Sequence, residues 1–268
     1  MHPRVSVSAI SSYDWSLAED LEFYAEAGIT NVGVSMAKLD RFGWDEGIAR
    51  VRDAGIRVAN VIGIGPFHLD RPAQWDGQRA RLVRALDGAH ALGAPCLVVT
   101  TGPAGRLTWE EAADALEEAI APVVTLARER GVALAVEHTN SLRADVGFVH
   151  TLADVVDLAR RMGTGVCMEI NACWAERGLA ETIARGVDTF RLVQVSDYAV
   201  GTLSTPARLV PGDGDVPIER ILGQVLDAGY AGPFDLELIG PRIEEEGYGA
   251  AIRRSVDWLG DALTRLGA

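Results

Sequence analysis

Apolar residues in this chain gather in short, nearly unbroken runs, and each run follows a segment where they recur every three to four positions. The runs are VSVSAI (5–10), NVGVS (31–35), RVANVIGI (57–64), CLVVTT (96–101), VALAVEH (132–138), GVCMEI (165–170), FRLVQVSD (190–197) and FDLELIG (234–240). Runs without polar alternation suit strands covered on both faces, as in a parallel sheet. The segments between them read as helices, each closed by a glycine: Gly28, Gly55, Gly93, Gly131, Gly163, Gly186 and Gly229. Glycine at that position accepts the left-handed backbone that ends a helix. Ser16 with Glu19 reads as a capping box, Thr108 before Glu110 and Glu111 opens a helix running to Arg130, and the last helix spans about 246–266. Eight strand–helix repeats with no linker predict an α/β protein forming a single (β/α)8 TIM barrel over residues 1–268, ahead of an open doubly wound sheet.

Composition agrees and charge narrows the partners. The chain is 48% hydrophobic and 24% charged, which excludes disorder and collagen-like repeats. A net charge of −13 repels phosphate backbones and anionic lipid, so neither a nucleic-acid nor a membrane partner is expected. No stretch of 18 apolar residues and no signal-peptide pattern occurs, so the expected location is cytoplasmic. Cys96, Cys167 and Cys173 are odd in number and form no CxxC, which reads as buried small hydrophobes. Lys38 is the only lysine, so a Schiff-base mechanism has one candidate nucleophile.

In a barrel of this kind, chemistry sits at the C-terminal ends of the strands. Four such ends carry a polar residue inside an apolar run: Glu137 in LAVEHTN, Glu169 in VCMEIN, Gln194 in LVQVSD and Glu237 in FDLELIG. Buried carboxylates on neighbouring strands repel one another unless paired or bound to a cation. Pairing with Arg143, Arg191 or Arg208 is one resolution. Four oxygen donors at equivalent depth on consecutive strands favour another, one divalent ion held by Glu137, Glu169, Gln194 and Glu237, with Mn²⁺ or Mg²⁺ matching hard oxygen ligands.

These residues, with RLVPGDGDVP (208–217) and AGYAGPFDLEL (228–238), resemble the xylose isomerase-like TIM-barrel family of sugar isomerases and epimerases. The resemblance implies that the metal-holding positions are the four just named and that Glu137 and Glu237 double as the acid/base pair. It implies a metal-dependent isomerase or epimerase of a small polyhydroxy carbonyl compound, acting by proton abstraction through a metal-stabilised enediolate. The chain departs from the family at Glu169 (usually aspartate), Gln194 (usually histidine), Ala172 (often a histidine) and Arg143 (a glutamate in several epimerases). Gln194 is similar to the branch that dehydrates 3-dehydroshikimate. A lyase on the same scaffold, dehydrating such a compound or an inosose or eliminating an aglycone from an oxidised sugar, is therefore the alternative.

Further candidates are His68, Arg208 and Trp174 as substrate contacts, with Trp15 and Trp44 as other loop aromatics, and Asp197 as a residue orienting a ligand. His138 follows Glu137, so strand alternation turns it away from the centre. The Gly212–Asp215 segment lacks a phosphate-loop pattern and reads as a turn before a helix, and GIGPFH (63–68) is no dinucleotide fingerprint. An abasic-site endonuclease on this barrel would need a basic face and many histidines, and only five histidines are present. A non-catalytic binding barrel remains a further class. The partner expected is a small polyol or ketose, and the acidic surface permits a homo-oligomer.

Overall fold

The computed structural model describes residues 1–64 and 67–268, with the side chain of Ile64 left aside. Eight parallel strands close into a barrel in chain order: β1 (Val5–Ser8), β2 (Asn31–Ser35), β3 (Arg57–Ile64), β4 (Cys96–Thr100), β5 (Ala133–Glu137), β6 (Gly165–Glu169), β7 (Phe190–Val195) and β8 (Phe234–Leu236). The helices that return the chain are α1 (Leu17–Ala27), α2 (Met36–Phe42), α3 (Trp44–Asp53), α4 (Trp75–Ala91), α5 (Trp109–Arg130) and α6 (Leu152–Met162). They continue as α7 (Ile170–Cys173), α8 (Leu179–Gly186), α9 (Ile218–Asp227), α10 (Pro241–Glu246) and α11 (Tyr248–Arg265). The single (β/α)8 TIM barrel expected from the apolar runs is what the chain forms.

Local signals act as their chemistry dictates. The Ser16–Glu19 and Thr108–Glu111 capping boxes both close, each glutamate accepting the N–H of its cap residue, at 2.7 and 2.9 Å. Gly186 alone among the seven glycine stops keeps an ordinary φ, −102°. A Cβ there would stand 2.6 Å from the Val156 side chain, so helix contact rather than handedness requires glycine.

The main core lies between the outer face of the strands and the helices, and a smaller cluster of Ile62, Cys96, Val98, Ala135, Cys167 and Leu192 fills the barrel interior. All three cysteines are buried and free. β1, β7 and β8 each end two or more residues before their apolar runs do, at Ser8, Val195 and Leu236. Beyond the ladder the backbone is held by side chains instead: the Leu238 N–H donates to Ser11 Oγ at 2.9 Å, and Ser11 Oγ donates to the Leu236 carbonyl. Glu237, the residue after β8, still donates its N–H to the Val195 carbonyl at 3.3 Å, which seats it at the barrel mouth. Among the described residues, no helix is long and apolar enough to cross a membrane.

Candidate metal centre

Glu137 ends β5, Glu169 ends β6, and Glu237 follows β8 directly. All three side chains point into the barrel mouth, and one carboxylate oxygen from each lies within 4.8 Å of the others. They are nearly closed off from solvent, at 9%, 2% and 6% exposure. Arg208 reaches in from the loop after β7, placing one guanidinium nitrogen against Glu169 and another against Glu237, and donating to the Glu237 carbonyl at 3.0 Å. Of the three arginines weighed as partners, Arg208 makes this pairing. Arg143 holds Asp145 at 3.0 Å and Arg191 donates to the backbone carbonyls of Asp188 and Phe190.

One guanidinium cannot neutralise three carboxylates. Burial, then repulsion from Glu237 and Glu169, lifts Glu137 well above the usual carboxylate range. Burial outweighs the pull of Arg208 and raises Glu169 to about 7. Burial disfavours the charge on Arg208, but Glu169, Glu237 and Glu137 more than offset it and raise its pKa. Just below, Asp235 lies across the ladder from Ser6 and Gln194, and burial lifts it to about 7.

The donor set suits a divalent cation. It consists of hard oxygens from separate strand ends, and Glu169 Oε2 is buried against Arg208 without a well-aligned hydrogen bond. Gln194 pairs with Glu169 in the ladder and is fully buried, but its Oε1 accepts from the Cys167 thiol at 3.2 Å while Nε2 has no partner. A half-turn of that amide exchanges the two atoms. The geometry thus gathers the three glutamates, with Gln194 alongside and its oxygen directed at Cys167.

Neighbouring residues fix this arrangement. His138 is turned away from the mouth, as strand alternation requires, and its Nε2 accepts the Glu169 N–H at 3.2 Å. Burial pushes its pKa down to about 3, so the ring stays neutral and serves to hold the end of β6. The Asp197 carboxylate accepts four backbone N–H bonds, from Tyr198, Gly212, Gly214 and Val216 at 2.8–3.0 Å. It therefore shapes the loop that follows Arg208, while its carbonyl accepts from Asn171 Nδ2. The Gly212–Asp215 segment is the turn expected before α9.

The carboxylates floor a cavity of about 450 Å³. Its lining includes Thr100, Thr139, Asn140, Asn171, Ala172 and Arg143, with Tyr13 and Tyr198 as aromatic walls. Trp174 is absent from that lining among the described residues; it is half-buried and packs against the main core at the end of α7. Trp15 stacks edge-on against Phe23 and Tyr248, and Trp44 lies under Arg84. His68 is also outside the lining, its carbonyl accepting from Trp75 Nε1 at 3.1 Å and its N–H donating to Gln78. Gly65 and Pro66 of the GIGPFH segment lie outside the described residues. Tyr13 and Tyr198 carried no sequence signal beyond their places in the loops after β1 and β7, where the barrel fold puts its site.

Known proteins share this fold. Protein SMc04130 from Sinorhizobium meliloti 1021 is 26% identical, with a TM-score of 0.85 over 97% of this chain and 98% of its own. The IolI protein, solved with a bound zinc atom, is 14% identical, with a TM-score of 0.84 over 98% and 99%. The 3-keto-D-glucoside 4-epimerase YcjR from E. coli, in its apo form, is 18% identical, with a TM-score of 0.75 over 96% and 98%. No curated protein matches the chain. The signature of the xylose isomerase-like TIM barrel runs from residue 21 to residue 262, through Glu137, Glu169, Arg208 and Glu237, and the chain belongs to that family.

Proposed function

We propose that the protein is a divalent-metal-dependent isomerase or epimerase of a small polyhydroxy carbonyl compound. The observation that carries this reading is the trio of buried glutamates, their oxygens within 4.8 Å of one another on the floor of an open cavity. Glu137, Glu169 and Glu237 would hold the cation, with Gln194 as the neutral fourth donor once its oxygen turns from Cys167. When bound, a Mn²⁺ or Mg²⁺ ion supplies Lewis acidity toward a carbonyl and its neighbouring hydroxyl. The zinc in the IolI structure and the epimerase among the structural neighbours support this reading.

Glu137 and Glu237 face each other across the floor as the proton-handling pair. With a cation neutralising the cluster, Glu137 is an ionised carboxylate able to accept a proton. It takes the proton from the carbon beside the carbonyl, and the opposite carboxylate returns one, on the neighbouring carbon or on the other face. Arg208 stays charged and keeps Glu169 and Glu237 in place. Asn140 and Asn171 offer amide donors and acceptors to substrate hydroxyls. Among the described residues, Arg143 and Arg208 are the only cationic groups of the lining, and both already hold carboxylates, which favours an unphosphorylated substrate.

Incubation in D₂O with Mn²⁺ and a panel of free ketoses, keto-sugars, inososes and 3-dehydroshikimate, followed by proton NMR, tests the reading. Deuterium should enter beside the carbonyl, and Glu137→Gln and Glu237→Gln should be silent. A dehydrated product would place the protein with the lyases, and no exchange on any compound despite bound Mn²⁺ would overturn metal-assisted enolisation.

A further inference from the structure

Three thiols are buried in this chain, and one of them is bonded differently from the other two. Cys96 and Cys173 donate to backbone carbonyls, those of Ala59 and Ile170, at the long distances of 3.7 and 3.9 Å. Cys167 donates instead to a side chain, Oε1 of Gln194, at 3.2 Å. Both partners are fully closed to solvent. The ladder pairs Cys167 with Leu192 and Glu169 with Gln194, so the thiol stands one step below the carboxylate level, beside the strand that carries the amide.

A second observation concerns the other half of that amide. Gln194 Nε2 is buried and has no hydrogen-bond partner. An idle buried donor is costly, so the amide has a second arrangement in which both of its halves are used. A half-turn brings Nε2 to the thiol and releases Oε1 toward the glutamates. The thiol suits both arrangements, because it is a weak donor and a weak acceptor at once. As found, S–H donates to Oε1; after the turn, Sγ accepts from Nε2. An apolar side chain at the same place would hold the amide in neither.

Resting on the proposed metal site, we propose that Cys167 is a positioning residue for the cation, acting through Gln194: its thiol holds the amide by Oε1 in the metal-free protein and by Nε2 once Oε1 faces the ion. The thiol itself never touches substrate or metal. It sets how readily the fourth, neutral donor is delivered to the three carboxylates.

The infrared S–H stretching band of Cys167, assigned by its loss in Cys167→Ser, tests this on the unaltered protein. It should rise in frequency on saturation with Mn²⁺, as the thiol ceases to donate to Oε1. That reading stands even where an apolar variant fails to fold. Mn²⁺ affinity, followed by the free-ion EPR signal, should weaken about 10-fold or more in Cys167→Val, the range for residues that orient a metal ligand. Cys167→Ser should restore most of that affinity, because a hydroxyl also donates and accepts. In a Gln194→Leu background Cys167→Val should weaken binding no further. A band unmoved by saturating Mn²⁺, or equal affinity in Cys167→Ser and Cys167→Val, would overturn the positioning role and leave the carboxylate site standing. Failure of the unaltered protein to bind Mn²⁺ at all would overturn the metal site and this role with it.

Discussion

Two buried ionic clusters sit in this barrel, and they resolve the cost of burial in different ways. Beside α1 and α2, Lys38 Nζ lies 2.7 Å from Asp20 Oδ2, 2.8 Å from the Ser12 carbonyl and 3.1 Å from Ser12 Oγ. Ser12 Oγ in turn donates to Asp20 Oδ1 at 2.5 Å. One acid meets one base, and all three ammonium donors are engaged. Burial lifts Asp20 to about 6 and lowers Lys38, yet the pair stays matched. Lys38 lies on a helix with its protons committed, so the one lysine is structural rather than a free amine for Schiff-base chemistry. At the mouth of β5, β6 and β8, three acids face one guanidinium and open onto 450 Å³ of space. The lesson is that burial alone does not mark a site. An unbalanced count of charges with room beside it does.

The sharpest way to break this contrast is to remove charge from each cluster. Glu137→Gln should lower Mn²⁺-dependent exchange by about 10³-fold or more, since it removes a general base. In the metal-free protein the same change should hold or raise the unfolding free energy, because it relieves repulsion rather than a bond. Lys38→Met should do the reverse, costing about 3–5 kcal/mol in urea unfolding by leaving Asp20 buried and unpaired. Asp20→Asn/Lys38→Met should recover most of that loss. If Glu137→Gln destabilised the protein as much as Lys38→Met, the two clusters would be alike and the contrast wrong.

A gentler test uses pH. Glu137 and Glu169 sit above their unfolded values, so the folded chain binds more protons than the unfolded one in this range. Their contribution to stability is present in full below about pH 4.5 and is lost as pH rises through about 7. Asp20 and Asp235, raised to about 6 and about 7, add to the same fall. Metal-free protein should thus lose about 1–3 kcal/mol between pH 5 and 8, with a shallower slope in Glu137→Gln. Saturating Mn²⁺ should raise Tm more at pH 8 than at pH 6, because binding must expel protons from the glutamates. A metal-induced shift independent of pH would show that the cation binds elsewhere.

Much of this was legible in the chain itself, for reasons that particular residues illustrate. Glu137, Glu169 and Glu237 stood out because each interrupts an apolar strand, and strand geometry carries such a residue to a known height in the barrel. His138 could be turned away by period-two alternation alone. Loop residues obey no such period. Loop position alone puts Trp174 over the mouth, but a short helix folds it against the core, and Tyr13 and Tyr198 wall the cavity instead. Nor could spacing reveal that Asp197 spends its carboxylate on four N–H groups of its own loop, because that partner set exists only once the chain has turned back on itself.

That last arrangement separates what must be constant from what is free to vary. Asp197 and Leu209 exchange backbone bonds at 3.0 and 2.9 Å, and the Arg208 N–H is fixed to the Ile239 carbonyl at 3.0 Å. The segment from Tyr198 to Ala207 therefore leaves and re-enters the barrel at a closed base. Lengthening a loop closed at its base costs only about 0.6 kcal/mol per doubling. Insertions between Val200 and Ser204 would remodel the outer wall while Arg208 keeps its grip on Glu169 and Glu237. The barrel thus offers a replaceable cassette beside an invariant reaction floor, the natural place to graft new substrate preferences.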